Sequence, residues 1–258
     1  MKMKILVCIK QIADPDSEIR INNASTWIDE CKHTLFRINR YDEYALEEAL
    51  LIKDIYKDTE IDIISVGPER VSSAVKKSLE KGAKGIHIRC NKEYISGPET
   101  ASLIAEYVRD KDYDIIFTGV MSEDLMQGQV GPLIAAHLSI PCAVSVIGSE
   151  LNNDFSGVKV ISELEGGMTE HIHLTLPCLI TVQSGVNRPR YPSLSNVIAA
   201  RAMSIMTIDS HTLNNIDYSD ETISLEYPVA ASKGIVIDGT IEEKAERFLG
   251  ILHEKGVL

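Results

Sequence analysis

Along the chain, apolar and polar positions follow two periods, and the switches between them mark out the elements. Lys4 to Ile9 is an unbroken apolar run, the pattern of a strand covered on both faces, and is expected to be the central strand. From Tyr41 the spacing becomes helical: Tyr41, Ala45, Ala49, Ile52 and Tyr56 share a face, with Glu47, Glu48, Lys53 and Lys57 outside. Asn39 is placed to cap that helix, and Asp42 and Glu43 sit in its first turn, where acidic groups complement the helix dipole. Ile61 to Val66 and Gly85 to Arg89 read as further strands, with helices expected over 69–81 and 98–109. Asp114 to Gly119 is the fourth strand, and Val130, Leu133, Ile134, His137 and Leu138 recur at helical spacing after it. Four rounds of strand and helix predict an α/β fold: a doubly wound, mostly parallel sheet with right-handed crossovers and helices on both faces.

Residues 10–40 depart from this rhythm. Asp14-Pro15-Asp16 and Asn22-Asn23 supply turns within weak alternation, a hairpin-like excursion. After Ser139, the segments 143–151, 158–164, 171–176 and 179–182 are short and β-rich, and are expected as antiparallel strands finishing one edge of the sheet. No Pro/Ser-rich linker interrupts residues 1–183, which are expected to form one domain. Residues 184–203 combine prolines, arginines and an apolar helix-like run. They fit either a partner surface or a connector packed on its own domain. From residue 204 a long arm is expected, Asn/Asp-rich at 209–221. It ends in a helix whose Ile241, Ala245, Phe248, Leu249 and Leu252 are spaced to dock, another subunit being one place for it.

The stretch 114–132 organises the chain. An apolar strand ends at Gly119, a polar loop follows, and a helix begins near Val130. In an open parallel sheet, ligands sit beyond the carboxyl ends of the strands, and a helix N-terminus there favours phosphate. Gly119, Gly128 and Gly131 would let the backbone approach such a group, although a plain strand-to-helix connection also uses glycines. Neither GxGxxG nor a P-loop lysine is present.

Composition narrows the partners. The 258 residues carry 44% hydrophobic and 25% charged side chains, ordinary for a globular protein, with a net charge of -12. That balance argues against nucleic acid or an anionic membrane surface, so any anionic ligand is held locally. Five scattered cysteines, Cys8, Cys31, Cys90, Cys142 and Cys178, suit reduced thiols. No run suits a signal-peptide core or a membrane span, and a cytoplasmic protein without membrane insertion is expected. No nucleophile elbow, zinc-protease motif or carboxylate pair marks a catalytic centre. His171 and His173 share a strand face without a third metal ligand, and Glu43, Glu47 and Glu48 are expected on a solvated helix face.

Taken in order, several segments resemble the β subunit of electron transfer flavoproteins: Lys4 to Lys10, Asn39 to Ala49, Ser65 to Pro68, Gly119 to Pro132, Leu176-Pro177 and, most specifically, Asn187 to Asn196. The resemblance covers nearly the full length and implies an adenine nucleotide α-hydrolase-like, Rossmann-like form of the sheet. It implies a heterodimer with an α subunit holding the electron-carrying FAD, and a β crevice holding AMP, or a second FAD in electron-bifurcating members. By position, the crevice would be lined by Cys8 and Val66 at strand ends, and by Asn39, Arg40, Tyr41 and Asp42 at the helix start. Gly119, Val120, Ser122 and Asp124 would follow from the first half of the loop, and Gln127, Gly128, Gln129, Val130, Gly131 and Pro132 from the second. Arg190, Tyr191, Leu194, Asn196, Ile198 and Arg201 match the family's recognition loop for an acyl-CoA dehydrogenase-type flavoenzyme, with Leu194 at the anchor position.

The chain also departs from the common pattern. Val120-Met121-Ser122-Glu123-Asp124-Leu125-Met126 replaces the usual string, and only Asp124, Gln129 and Gly131 keep their places. The Ser-Glu-Asp-Leu form is similar to Fix-type and anaerobic acyl-CoA or carnitine-pathway relatives, and Gln129 to Pro132 to bifurcating members, which points to FAD in the crevice with AMP the alternative. An electron carrier needs no catalytic residues of its own, because the cofactor does the redox chemistry. The competing readings are a stand-alone adenine-nucleotide binder or ATP pyrophosphatase, which would call for a Ser-Gly-Gly-type loop where Lys10-Gln11-Ile12 stands, and a scaffold with an empty crevice.

Overall fold

The structure is a computed structural model that describes residues 2–29, 34–92, 94–214, 222–228 and 234–258. Cys31 and residues 215–221 of the Asn/Asp-rich stretch fall outside the described residues. Two compact units are present, Met1–Leu225 and Glu226–Leu258.

In the first unit, β1 (Lys4–Cys8) leads into an excursion of four short strands, β2 (Gln11–Ala13), β3 (Arg20–Ile21), β4 (Ile28–Asp29) and β5 (Phe36–Ile38). These close two small antiparallel ribbons, β2 with β5 and β3 with β4. Helix α1 (Arg40–Ile55) follows, then β6 (Glu60–Gly67), α2 (Ser72–Leu79), β7 (Lys84–Arg89), α3 (Gly97–Val108), β8 (Ile115–Gly119) and α4 (Val130–Leu138). The remaining elements are β9 (Cys142–Leu151), β10 (Gly157–Glu163), β11 (Thr169–Thr175), β12 (Cys178–Val182), α5 (Leu194–Ala202) and β13 (Met206–Asp209).

The main sheet runs in the order β11-β10-β9-β12-β8-β1-β6-β7-β13, and only β10 lies antiparallel to its neighbours. Period-two alternation divides its core. Ile5, Val7, Ile63 and Phe117 face Ala45, Leu46 and Ala49 of α1, while Leu6, Ile64 and Ile116 meet Leu103, Ile104 and Ile134 of α3 and α4. The fold is the α/β class that the alternation predicts.

Two details differ from the sequence reading. The segment 179–182 does not join an antiparallel edge: β12 inserts between β8 and β9, parallel to both. Its five residues, Cys178 to Val182, are all buried, the mark of a parallel strand covered on two faces. Residues 206–209 are not part of an arm but the ninth strand, β13, parallel to β7. The first compact unit runs from Met1 to Leu225.

The second unit contains α6 (Ile241–Glu254), where the spaced apolar residues predict a helix. A capping box starts it, Thr240 accepting from the Glu243 N–H while the Glu243 carboxylate accepts from the Thr240 N–H. Among the described residues no helix is long and apolar enough to cross a membrane.

Candidate functional site

The chain places β6 and β7 on one side of β1, then crosses back through α3 to set β8 on the other. The carboxyl ends of β1 and β8 thus flank a topological switch point, the position where a crevice opens in such sheets. A cleft of about 1190 Å³, counting its open mouth, lies there.

Asp42 organises the floor. Its carboxylate accepts from the Lys10 N–H at 2.7 Å and the Gly119 N–H at 3.0 Å, joining the ends of β1 and β8 through the first turn of α1. Burial pushes the Asp42 carboxyl up to about 7, against the lowering effect of these bonds, of the Asn39 side chain and of the Lys10 charge. Burial likewise pushes the neighbouring Cys8 thiol far up, with the Asp42 charge adding to it, so Cys8 is an inert apolar liner.

Asn39 does not cap α1 with its side chain. It pins the loop instead, donating to Met121 O at 2.9 Å and accepting from the Glu123 N–H at 3.0 Å. Each acidic residue of that loop has a counter-ion. Asp124 meets Lys10 Nζ at 2.8 Å, and Glu123 meets Arg37 at 3.2 Å and Arg40 at 3.9 Å. The Ser-Glu-Asp string is therefore fastened to the excursion and to the start of α1, which limits its charge towards the cleft.

At the loop's far end, α4 begins without a side-chain cap, and its first residues, Val130 and Gly131, line the cleft. Gly128, just before it, has φ +61, a left-handed conformation that suits glycine. The other two loop glycines serve packing. A Cβ on Gly119 would stand 2.5 Å from Asp42 Oδ1 and 2.6 Å from Tyr41 Cβ, so its absence lets α1 approach β8. A Cβ on Gly131 would stand 2.7 Å from both Thr118 Oγ1 and Thr181 Cγ2, so its absence seats α4 on β8 and β12. Both glycines thus have packing roles of their own, apart from any approach of a phosphate.

The structure brings most of the expected positions to the cleft: Cys8, Asn39, Asp42 and Val66, then Gly119, Val120, Ser122 and Asp124, then Gln127 through Gly131. Arg40, Tyr41 and Pro132 do not line it. Arg40 pairs outward with Glu123, Tyr41 packs beside Gly119, and Pro132 has turned into the helix. The sequence reading missed the opposite wall, where Trp27 and Ile28 of the excursion face Lys92 and Ile95. Trp27 lies 4.9 Å from the Tyr94 ring, and Arg70 stacks 4.2 Å over Phe36. The signal was the chain's one tryptophan, set within the excursion.

The second candidate region is 187–203. Tyr191, Leu194 and Ile198 are exposed, Leu194 by 76%, on a segment that Ser193 caps by accepting from the Asn196 N–H. Asn196 and Arg201 are exposed beside them. Arg190 instead turns inward, its guanidinium 2.8 Å from both Glu47 and Asp54. Glu47 and Glu48 are accordingly buried and bonded, not on a solvated face as expected. His171 and His173 lie on β11, where His173 Nε2 pairs with the Asn152 amide at 2.9 Å. Among the described residues no group of three or more metal-ligating side chains gathers.

Comparison with known proteins agrees with this geometry. An electron transfer flavoprotein domain profile matches residues 31–213. The chain is 29% identical to the electron transfer flavoprotein subunit beta of Methylophilus methylotrophus, over 98% of each chain. It is 30% identical to that of Clostridium acetobutylicum, over 98% of this chain and 99% of the relative. With the subunit beta of Megasphaera elsdenii it shares 32% identity over 81% of this chain and 78% of the relative. By profile, coverage and identity together, the chain belongs to the electron transfer flavoprotein family, among its β subunits.

Proposed function

We propose that this chain is the β subunit of a heterodimeric electron transfer flavoprotein, with an α subunit that holds the electron-carrying FAD, and that its own cleft holds a second FAD. The observation that carries this reading is the cleft at the switch point, with the uncapped start of α4 and left-handed Gly128 on its rim. Backbone N–H groups at Gln129 to Gly131 suit a pyrophosphate there. Ser122 adds a hydroxyl at the rim, and Asp42 and Asn39 fix the loops that shape the floor. The preference for FAD over AMP rests on the likeness of Gln129 to Pro132 to bifurcating members. A bound flavin supplies the one- and two-electron chemistry. The protein's part is to hold the ring system, keep the acidic loop side chains paired and exclude water from the apolar wall around Trp27, Ile28 and Phe36.

The exposed Tyr191, Leu194 and Ile198 are the proposed contact for an acyl-CoA dehydrogenase-type flavoenzyme, with Asn196 and Arg201 at the rim. Neighbouring Arg190 supports this surface from beneath.

The test is the flavin and adenine-nucleotide content of the purified complex, by absorbance and by chromatography after denaturation. Two FAD per αβ pair is expected, and would make electron bifurcation the working mechanism. One FAD with one AMP would overturn the assignment of the cleft to FAD and make the chain a structural and docking subunit of a simple shuttle.

A further inference from the structure

Glu47 and Glu48 are buried on α1, although carboxylates are seldom buried unless paired. Every bond they make that crosses to another element reaches either the segment 187–190 or the sheet beside it. Glu47 accepts from the Arg190 N–H at 2.9 Å and from Arg190 Nε at 2.9 and 3.1 Å, in addition to the contact with the guanidinium. Two helical turns on, Asp54 holds the same guanidinium, as i,i+7 spacing on one helix face allows. Glu48 accepts from Asn187 Nδ2 at 2.9 Å with one oxygen and from Ser149 Oγ of β9 with the other. Asn187 also donates to Tyr44 O at 2.9 Å. Three residues after Arg190 comes the Ser193 cap of α5, and the exposed Tyr191, Leu194 and Ile198 stand immediately around it.

We propose that Glu47 and Glu48 are positioning residues for the docking face. By fixing Asn187 and Arg190 on α1, they hold Tyr191, Leu194 and Ile198 in a defined place before a partner arrives. The inference rests on the reading of that face as the contact for a flavoprotein dehydrogenase. Its physical basis is the entropy of association. A segment ordered in advance loses less freedom on binding than one that must be ordered by the partner. Charge-assisted bonds to buried carboxylates are strong enough to do this, and Arg suits the task because its fork can engage Glu47 and Asp54 together.

The experiment uses the whole complex with three variants: Glu47→Gln, which keeps the shape and removes the charge, Arg190→Met, and Leu194→Ala. Deuterium exchange is followed across 187–203, and electron exchange is measured with an acyl-CoA dehydrogenase as the probe. Exchange at 187–193 is expected to quicken roughly tenfold or more in Glu47→Gln and Arg190→Met, while β8 and β12 stay as protected as before. The KM for the dehydrogenase should rise several-fold with kcat retained and flavin content unchanged. Unaltered exchange at 187–193 in both variants would overturn the proposal. So would faster exchange with an unchanged KM, provided Leu194→Ala still raises KM. If Leu194→Ala leaves electron exchange untouched, the docking reading itself falls, and the inference falls with it.

Discussion

A Cβ on Gly131 would stand 2.7 Å from Thr118 Oγ1 and from Thr181 Cγ2, both fixed within buried strands. Gly131→Val therefore overpacks the junction of α4 with the sheet, at a cost of about 1–3 kcal/mol. The thermal midpoint should fall even in nucleotide-free protein; an unchanged midpoint there with lower nucleotide uptake would assign Gly131 to clearing space for phosphate instead. Asp42 makes a different prediction. Its folded-state value near 7 lies above its ordinary 3.8, so the folded state holds the proton more tightly than the unfolded state. The stability it contributes is complete below about pH 4 and is lost as pH rises through about 7. Melting temperature should decline between about pH 4 and about pH 7 and level off above, and Asp42→Asn should flatten that slope. A slope that persists in the variant would assign it to another group. Single residues were partly legible in the sequence. The acidic first turn of α1 pointed to Asp42, but the burial of Glu47 depends on Arg190, which lies 143 positions away in the chain, and that of Glu48 on Asn187 and Ser149.

Among the elements, the excursion from β2 to β5 was read only as turns and weak alternation, yet it brings Trp27 to the cleft wall against Tyr94. Two-residue strands such as β3 and β4 leave too little period to be recognised. Because Trp27 is the only tryptophan in the chain, its emission should change when AMP or FAD is added to nucleotide-free protein, and Trp27→Phe should abolish that change. Emission indifferent to saturating nucleotide would move the ligand away from this wall. The long periodic elements, α1, α3 and β6, were legible because a helix or strand that buries one face must repeat its apolar residues at that element's spacing. The position of β12 was not. Its apolar run states burial on two faces but not which strands provide the neighbours.

At the scale of the molecule, alternation of strand and helix was enough to place the cleft, since the order of crossovers puts a switch point beside β1. Helix α1 ties this architecture together. Its first turn clamps the ends of β1 and β8 through Asp42, and one to three turns later Glu47, Glu48 and Asp54 grip the segment that leads into α5. On the proposed docking reading, cleft and docking face are inherited as one piece. Across lineages, residues 47 and 190 should covary, and a graft of 187–203 from a distant relative should take only when its own α1 travels with it. On that reading, a change of redox partner for this chain is a matter of replacing a helix and a loop together, not of editing a loop alone.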